Sequence, residues 1–456
     1  MNRVVKRTWL MSVFILVLVL GLGLFIWDYA ANAPRWIGSP GSTYMHNDAI
    51  GYGTVTDRSG ITLLDVGASK SYSADQTTRI TMLHWLGDRQ GNILSRPISE
   101  YAADMSGYDV IDGVYDFSGV NGTMELTLSV RAQNAAYNAM AGRKGTVAVY
   151  NYKTGEILCA VTTPSFDPDD PIDLTTADPE QYEGVYLNRF TQSTYIPGSI
   201  FKVVTTAAAL DCIPDIEEMT FSCTGILEYG EEKVSCERAH GTQDLRGALA
   251  NSCNCAFAQI AELIGKDRMT DYVDRFGITD PISFDGITTA KGNYDVSDTA
   301  PVSFAWSCIG QYTDLINPCR FMTFMGAIAS GGSGAQPYIV SHVTGGGETT
   351  YSAQIREMEP ILSQDVAEKL QAYMRGNVEL IYGAGNFPGL TVCAKSGTSQ
   401  LGAEQVSNAM FSGFVTDPEY PLAFIVVVEN GGYGASACVP VLSRVLDACK
   451  TVLDGE

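Results

Sequence analysis

The chain has 456 residues, enough for two or three domains with a large hydrophobic core. It carries 29 basic and 51 acidic residues, and the formal net charge of −22 argues against a nucleic-acid partner. P-loop and dinucleotide-binding patterns are absent, and the four histidines are not paired at metal-ligand spacing, so zinc hydrolysis and a Ser-His-Asp triad are disfavoured.

The N-terminus combines a basic tail with a long apolar segment. Residues 9–27 contain no charge, and as a helix they would span about 28 Å, close to the hydrocarbon thickness of a bilayer. Arg3, Lys6 and Arg7 precede this segment, and the positive end of a membrane helix stays inside. This pattern predicts a single-pass helix in the cell membrane, with residues 1–8 as a cytoplasmic tail and the rest of the chain outside the cytoplasm.

A cleaved signal peptide is the alternative interpretation of the same segment. Ala31-Asn32-Ala33 resembles a cleavage site. The apolar stretch is longer than a signal-peptide core of about 7–15 residues. We therefore favour a retained anchor.

The next segments form a linker and a small domain. Residues 28–50 are rich in Pro, Gly, Asn and Ser, which predicts a linker. Residues 51–120 contain short alternating stretches at Gly53–Thr56, Ile61–Asp65 and Ile80–Leu86, separated by turn residues. This pattern predicts a small β-rich, membrane-proximal, non-catalytic domain.

A second and larger domain is predicted over residues 121–456. It opens with a helical pattern over Leu128–Met140. Two β-rich runs follow, Lys144–Tyr152 and Ile157–Thr163, and the Lys-Thr-Gly-Glu sequence between them predicts a hairpin.

Tyr195–Leu210 (YIPGSIFKVVTTAAAL) is the stretch around which the larger domain is organised. Pro197 and Gly198 precede a run of good helix formers, which is typical of a loop leading into a helix. Ser199 falls in the first turn and Lys202 three residues later, on the same face. A lysine whose pKa is lowered can activate a serine hydroxyl as a nucleophile. Taken alone, the pair is better explained by a serine at a helix N-terminus and a solvated lysine.

The rest of the chain alternates between helical and strand patterns. Helices are predicted at Gln243–Ala250, Cys255–Ile264, Pro318–Ala329, Ala367–Leu380 and Cys438–Leu453, and strands at Leu390–Ala394, Ala409–Thr416 and Leu422–Glu429. A hairpin, a helical insert, three strands and a final helix indicate an α/β fold in which helices sandwich an antiparallel sheet.

The eleven cysteines are many for an exported chain. Cys223 and Cys236 flank a predicted hairpin that a disulfide could close. Others lie in apolar runs and are expected to act as small core residues: Cys253, Cys255, Cys308 and Cys393. Metal spacing of the C-x-x-C type is absent, so no metal cluster is predicted.

Two further short motifs follow the Ser199 stretch. Ser252-Cys253-Asn254 lies at a loop-to-helix junction, and Lys395-Ser396-Gly397-Thr398 lies on a predicted strand. Each alone is also explained by helix capping, a turn, an exposed strand lysine or a bulge. Together, S-x-x-K, S-x-N and K-[ST]-G in this order are a known serine acyl-enzyme constellation.

The resemblance extends beyond the three motifs. From about residue 120 to residue 456 the sequence resembles the transpeptidase domain of class B penicillin-binding proteins, in a short form with a small membrane-proximal domain. The matching stretches are 145–168, 188–210, His240-Gly241, 252–265, 309–311, 394–398 and 424–432, and GTVTDRSGITLL (53–64) resembles a segment of the membrane-proximal domain.

The resemblance implies a peptidoglycan D,D-transpeptidase that needs no metal or organic cofactor. Ser199 would attack the penultimate D-Ala of a stem peptide ending in D-Ala-D-Ala, with Lys202 as its base. Ser252 would relay the proton to the leaving amine, and Asn254 would orient Lys202 and the substrate amide. An amine of a neighbouring stem peptide would resolve the acyl-enzyme, and β-lactams would acylate Ser199.

The third motif would bind the substrate. Lys395 would supply positive potential, and Ser396 and Thr398 would offer hydroxyls to the substrate carboxylate, beside Gly397. The backbone N–H groups of Ser199 and Thr398 would form an oxyanion hole.

The resemblance also implies protein partners. A membrane glycosyltransferase and division or elongation proteins are the expected ones.

Some positions depart from the family pattern. The departures are Ser396 in place of Thr, Ala394 in place of Gly, Ala409 in place of Trp and Tyr312 in place of Gly. None of these departures removes a catalytic group.

Two alternatives to a transpeptidase remain. One is a D,D-carboxypeptidase or β-lactamase of the same fold, and the other is a non-catalytic penicillin-binding scaffold or sensor.

Overall fold

The computed structural model describes residues 2–37, 53–66, 70–106, 122–399 and 406–455. The α-helices are α1 Asn2–Ile37, α2 Gln76–Leu86, α3 Arg96–Glu100, α4 Ala102–Met105, α5 Val130–Met140, α6 Arg189–Gln192, α7 Lys202–Cys212, α8 Leu245–Ala250, α9 Asn254–Ile264, α10 Lys266–Arg275, α11 Pro301–Ile309, α12 Pro318–Ala329, α13 Gln364–Asn377 and α14 Gly434–Leu453. Shorter turns are the 3₁₀ helices Gly198–Phe201, Ile216–Glu218 and Ala384–Asn386 and the π-helical turn Val378–Tyr382.

The strands are β1 Gly53–Thr56, β2 Thr62–Val66, β3 Lys70–Tyr72, β4 Gly122–Leu126, β5 Gly145–Asn151, β6 Ile157–Thr163, β7 Phe221–Cys223, β8 Ile226–Tyr229, β9 Glu232–Ser235, β10 Gly241–Gln243, β11 Ser283–Phe284, β12 Ile287–Thr288, β13 Val340–Gly345, β14 Glu348–Ser352, β15 Val392–Ser399, β16 Asn408–Val415 and β17 Leu422–Val428.

The larger domain is built on a five-stranded antiparallel sheet. Its order is β15-β16-β17-β5-β6, so strands from both ends of the domain meet where β17 pairs with β5. Every residue of β5, β6, β16 and β17 is buried, because both faces of the sheet are covered. This explains why the sequences of these strands are largely continuous apolar runs and do not alternate between apolar and polar residues.

Helices cover the sheet on both faces. Helices α5 and α14 form one apolar layer with the sheet, in which Ala136, Val147 and Leu442 are fully buried. Helix α12 packs against β16 and β17 on the opposite face. The predicted sandwich of helices around an antiparallel sheet is confirmed, and β15 is left as an edge strand.

A six-stranded sheet contains strands from both sides of residue 120. Its order is β14-β13-β4-β1-β2-β3, so the hairpin of β13 and β14 completes a sheet that begins at Gly53. Strand β4 pairs in parallel with β1 and antiparallel with β13. The chain therefore returns to this sheet after building most of the larger domain, across the predicted boundary.

One strand prediction was wrong. Ile80–Leu86 belongs to helix α2. The Asp75 carboxylate accepts the Thr78 N–H at 2.7 Å as an N-cap, and Gly87 ends the helix at φ +80°. A short apolar run does not distinguish a strand from a buried helix, and here the capping residues decide for a helix.

The N-terminal helix is longer than the predicted membrane segment. It runs to Ile37, into the predicted linker, while residues 38–50 lie outside the described residues. Its stretch from Arg3 to Ala33 is long and apolar enough to cross a membrane.

Asp57 joins the six-stranded sheet to helix α5. Its side chain is 1% exposed, and its carboxylate accepts the N–H groups of Ser59 (2.9 Å), Ile61 (3.0 Å) and Val130 (3.0 Å). The same carboxylate therefore closes the turn after β1 and binds the first residue of α5.

We expect Asp57→Ala to lower the free energy of unfolding by about 2–4 kcal/mol, because three backbone donors lose a charged acceptor. Urea unfolding measures this effect. Asp173→Ala is the matched control, since Asp173 makes the same kind of turn with Thr175 at an exposed site. Equal loss in both variants would show that Asp57 contributes no more than a surface turn.

Candidate active site

The three sequence motifs meet at the edge strand of the central sheet. Ser199 lies in the 3₁₀ turn before α7, and Lys202 is the first residue of α7. Ser252 precedes α9, in which Asn254 is the first residue. Lys395 lies on β15.

Lys202 connects two of the motifs. Its side chain is fully buried, and its Nζ donates to Ser199 Oγ at 2.9 Å and to Asn254 Oδ1 at 2.7 Å. It also lies 2.9 Å from the Ser252 carbonyl oxygen and 3.1 Å from Ser252 Oγ. Burial, and secondarily the nearby charge of Lys395, lowers the pKa of Lys202 well below its ordinary value. A buried amine with a lowered pKa, in contact with a serine hydroxyl, can accept its proton.

Lys395 adds the third motif. It is also fully buried, and its Nζ donates to Ser252 Oγ at 3.1 Å and to the Ser396 carbonyl oxygen at 2.9 Å. Burial lowers the pKa of Lys395 to about 7. Ser252 Oγ therefore lies between the two lysine amines, in a position to pass a proton between the nucleophile and a leaving group.

The Ser199 turn and the edge strand approach each other at backbone distance. Gly198 has φ +57°, and a Cβ there would lie 2.6 Å from the Thr398 carbonyl oxygen. A Cβ on Gly397 would lie 2.8 Å from the Pro197 carbonyl oxygen. Any side chain at these two glycines would push the turn away from the strand.

The hydroxyls expected to bind a carboxylate are engaged within the protein. Ser396 Oγ lies 3.0 Å from the Tyr382 hydroxyl oxygen, which also accepts the Ser396 N–H at 2.9 Å. Thr398 Oγ1 accepts the Gly434 N–H at 3.2 Å. Tyr382 was not identified from the sequence, because no motif includes it and its contact with Ser396 depends on the fold.

A second hydrogen-bond network, which the motifs do not indicate, involves the first residue of the Ser199 stretch. Glu429 Oε1 accepts from Arg189 Nε at 2.8 Å and from the Tyr195 hydroxyl at 2.8 Å. Tyr195 begins the Ser199 stretch, and its backbone pairs with Ile316. Glu429 lies within 424–432, a stretch that resembles the family, but nothing in the sequence pairs it with Arg189.

Four side chains beside the S-x-N motif can ligate a metal. The ligand atoms of Cys223, Cys236, His240 and Cys253 all lie within 4.8 Å of one another. Cys223 and Cys236 are both free thiols. The prediction of no metal cluster rested on C-x-x-C spacing alone, and folding brings these four together from separate segments.

A family model and several known proteins match this chain. Residues 145–447, about two thirds of the chain, match the penicillin binding protein transpeptidase domain family. The peptidoglycan D,D-transpeptidase PbpA of Mycobacterium tuberculosis H37Rv is 29% identical over 370 residues, covering 74% of this chain and 73% of that protein. Stage V sporulation protein D of Bacillus subtilis is 27% identical over 322 residues, covering 66% of this chain and 48% of that protein.

A solved structure has the same fold. The ceftriaxone acyl-enzyme complex of penicillin-binding protein A from M. tuberculosis superimposes with a TM-score of 0.77 at 23% identity, covering 88% of this chain and 99% of that one. The family match includes every residue of the three motifs that meet at β15. The chain therefore belongs to the penicillin-binding protein transpeptidase family.

Proposed function

We propose that this protein is a peptidoglycan D,D-transpeptidase, acylated at Ser199 by stem peptides ending in D-Ala-D-Ala and by β-lactams. The observation that carries the proposal is the 2.9 Å contact between Ser199 Oγ and the fully buried Nζ of Lys202. Asn254 and Ser252 hold that amine from the other side.

The first half-reaction follows from these contacts. Ser199 Oγ attacks the carbonyl carbon of the penultimate D-Ala, and its proton passes to Lys202. The developing negative charge on the carbonyl oxygen is stabilised by the backbone N–H groups of Ser199 and Thr398. The C–N bond then breaks, and Ser252 delivers a proton to the leaving D-Ala amine.

The second half-reaction uses the same groups in reverse. The amine of a neighbouring stem peptide attacks the ester carbonyl, loses its proton through Lys202, and displaces Ser199 Oγ, which recovers a proton. The new amide is the cross-link. Among the described residues, no carboxylate hydrogen-bonds Ser199 or Lys202, so we see no base for a hydrolytic water.

Lys395 and its neighbours bind the substrate carboxylate in this proposal. The Lys395 amine supplies positive potential, and Ser396 and Thr398 turn their hydroxyls toward the carboxylate when it arrives. Gly397 keeps the strand close to the Ser199 turn. Asn254 additionally holds the substrate amide.

Helix α1, which is long and apolar enough to cross a membrane, supports a location at the cell membrane. We infer that residues 9–27 span the bilayer and that the domain lies on the extracytoplasmic side, where peptidoglycan is made. Cross-linking acts on glycan strands that a glycosyltransferase polymerises. A membrane glycosyltransferase and division or elongation proteins are therefore the partners we expect.

The first experiment is an intact-mass time course of the protein mixed with benzylpenicillin. We expect an adduct that persists for many minutes in wild type and is absent in Ser199→Ala, because only the serine forms the ester. Ser193→Ala, six residues earlier, is the control and should be acylated like wild type. An adduct that vanishes within seconds would indicate a β-lactamase, and no adduct on folded wild type would exclude the acyl-enzyme.

Tyr382→Phe tests the support of the third motif. The Tyr382 hydroxyl contacts both the N–H and the Oγ of Ser396. Its loss should slow acylation about tenfold, the equivalent of one hydrogen bond worth about 1.4 kcal/mol. Tyr152→Phe is the control, since its buried hydroxyl donates to the Val415 carbonyl oxygen at 3.2 Å, at the far end of the sheet. Equal rates in wild type and Tyr382→Phe would remove Tyr382 from the mechanism.

The acylation rate should depend on pH with two limbs. The rate rises with pH as Lys202 loses its proton, because the neutral amine is the base. It falls again as the pH passes about 7, since Lys395, with its pKa lowered to about 7, loses the charge that attracts the carboxylate. Lys395→Arg keeps the charge and should abolish the falling limb. If the falling limb persists in that variant, another group causes it.

A further inference from the structure

Three cysteines and a histidine lie close together at the S-x-N motif, and one of these cysteines is the middle residue of the motif. Cys223 ends β7, Cys236 follows the β8–β9 hairpin, and His240 precedes β10. Cys253 lies in the turn between α8 and α9. The four ligand atoms lie within 4.8 Å of one another.

The spacing of these atoms fits one tetrahedral ion. Zn²⁺ binds thiolate at about 2.3 Å and imidazole at about 2.1 Å, so sulfur atoms around one zinc lie about 3.8 Å apart and sulfur and nitrogen about 3.6 Å apart. Cys236 Sγ lies 3.7 Å from Cys253 Sγ, and Cys223 Sγ lies 3.5 Å from His240 Nδ1. Two edges of the cluster thus have the lengths of a zinc tetrahedron.

Backbone groups around the cluster suit thiolates. The N–H of Cys255 donates to Cys236 Sγ at 3.3 Å, and the N–H of Ala256 donates to Cys253 Sγ at 3.4 Å. Both donors belong to the first turn of α9, whose positive end favours negative sulfur. Donors of this kind around the ligands are typical of metal sites.

A disulfide does not account for the whole set. A disulfide would use two of the sulfur atoms and leave a third thiol and the imidazole facing it. A fourth sulfur, that of Cys255, lies 3.6 Å from Cys236 Sγ but donates to the Val234 carbonyl oxygen. The ligand set is therefore three cysteines and one histidine, which selects Zn²⁺ among the common divalent cations.

We propose that Cys223, Cys236, His240 and Cys253 bind one Zn²⁺, and that this ion fixes the S-x-N motif beside Lys202. All four coordination positions are filled by protein, so the ion is structural and not catalytic.

The coupling to the active site is direct. Cys253 is flanked by Ser252 and Asn254, and Lys202 donates to both of them. Ser252 has φ +52°, a conformation that a serine rarely adopts without support. Asn254 Nδ2 also donates to the Ser235 carbonyl oxygen, next to Cys236. An ion joining Cys236 to Cys253 would hold the turn on the hairpin.

Metal content tests the site without reference to activity. The detergent-solubilised protein should contain one zinc per chain by elemental analysis. Cys223→Ser and His240→Ala should reduce that content at least tenfold, while Cys255→Ser and Cys308→Ser should retain it. Exchange with Co²⁺ in the wild type should produce the visible bands of tetrahedral cobalt and a thiolate charge-transfer band, which tests the site even if a variant fails to fold.

Two results would overturn the site. One is wild-type protein that neither holds zinc nor gives the cobalt spectrum. The other is a mass lower by two hydrogens together with loss of free thiols, which would show a disulfide within the cluster.

The positioning role is tested by removing the ion. After chelation, hydrogen exchange of the segment 249–256 should accelerate, and readdition of Zn²⁺, but not Mg²⁺, should reverse it. Unchanged exchange after zinc loss would refute positioning.

The effect on acylation rests on the proposed function. We expect the metal-free protein to be acylated by benzylpenicillin at least tenfold more slowly, with recovery on adding Zn²⁺. If holo protein is never acylated, the proposed function fails, while metal content and exchange still decide the zinc site. If the metal-free protein is acylated at the full rate, the ion does not serve the motif.

Discussion

The burial of the Lys202 side chain is the constraint on which the active site depends. An ammonium group removed from water costs several kcal/mol unless its hydrogen bonds are replaced. Here Ser199, Ser252 and Asn254 replace them, and these residues come from two separate segments of the chain. Burial makes these hydrogen-bond partners necessary, and it also lowers the pKa of the Lys202 amine. The energetic cost of burying the amine and its ability to accept a proton therefore have the same cause. The Ser199 hydroxyl, the Lys202 amine and the Ser252 hydroxyl therefore form one packed unit.

Much of this arrangement could be predicted from the sequence, because short motifs mark loop-to-helix junctions and strands. Ser199 and Lys202 are three residues apart on one helical turn, and the apolar runs of β5, β16 and β17 are those of buried strands. What could not be predicted are pairings between distant segments. Tyr382 with Ser396, Arg189 with Glu429 and the cysteine cluster carry no local signal, since each depends on tertiary packing.

Helix α2 shows the same limit within a single element. Its apolar residues fit a strand as well as a buried helix, and only the caps at Asp75 and Gly87 decide between them. The boundary at residue 120 raises a related difficulty. A change in composition suggests where a domain ends, but it carries no information on whether a later hairpin returns to complete the earlier sheet.

That returning hairpin has a consequence for how the protein is made. Ser341 on β13 contacts Glu125, which lies 216 positions earlier on β4. While the chain emerges from the ribosome, β4 has an open hydrogen-bonding edge until β13 arrives. An unpaired edge strand is prone to associate with other chains. This six-stranded sheet is thus completed late although its first strands are synthesised early, and in that interval the open edge of β4 can associate with other chains.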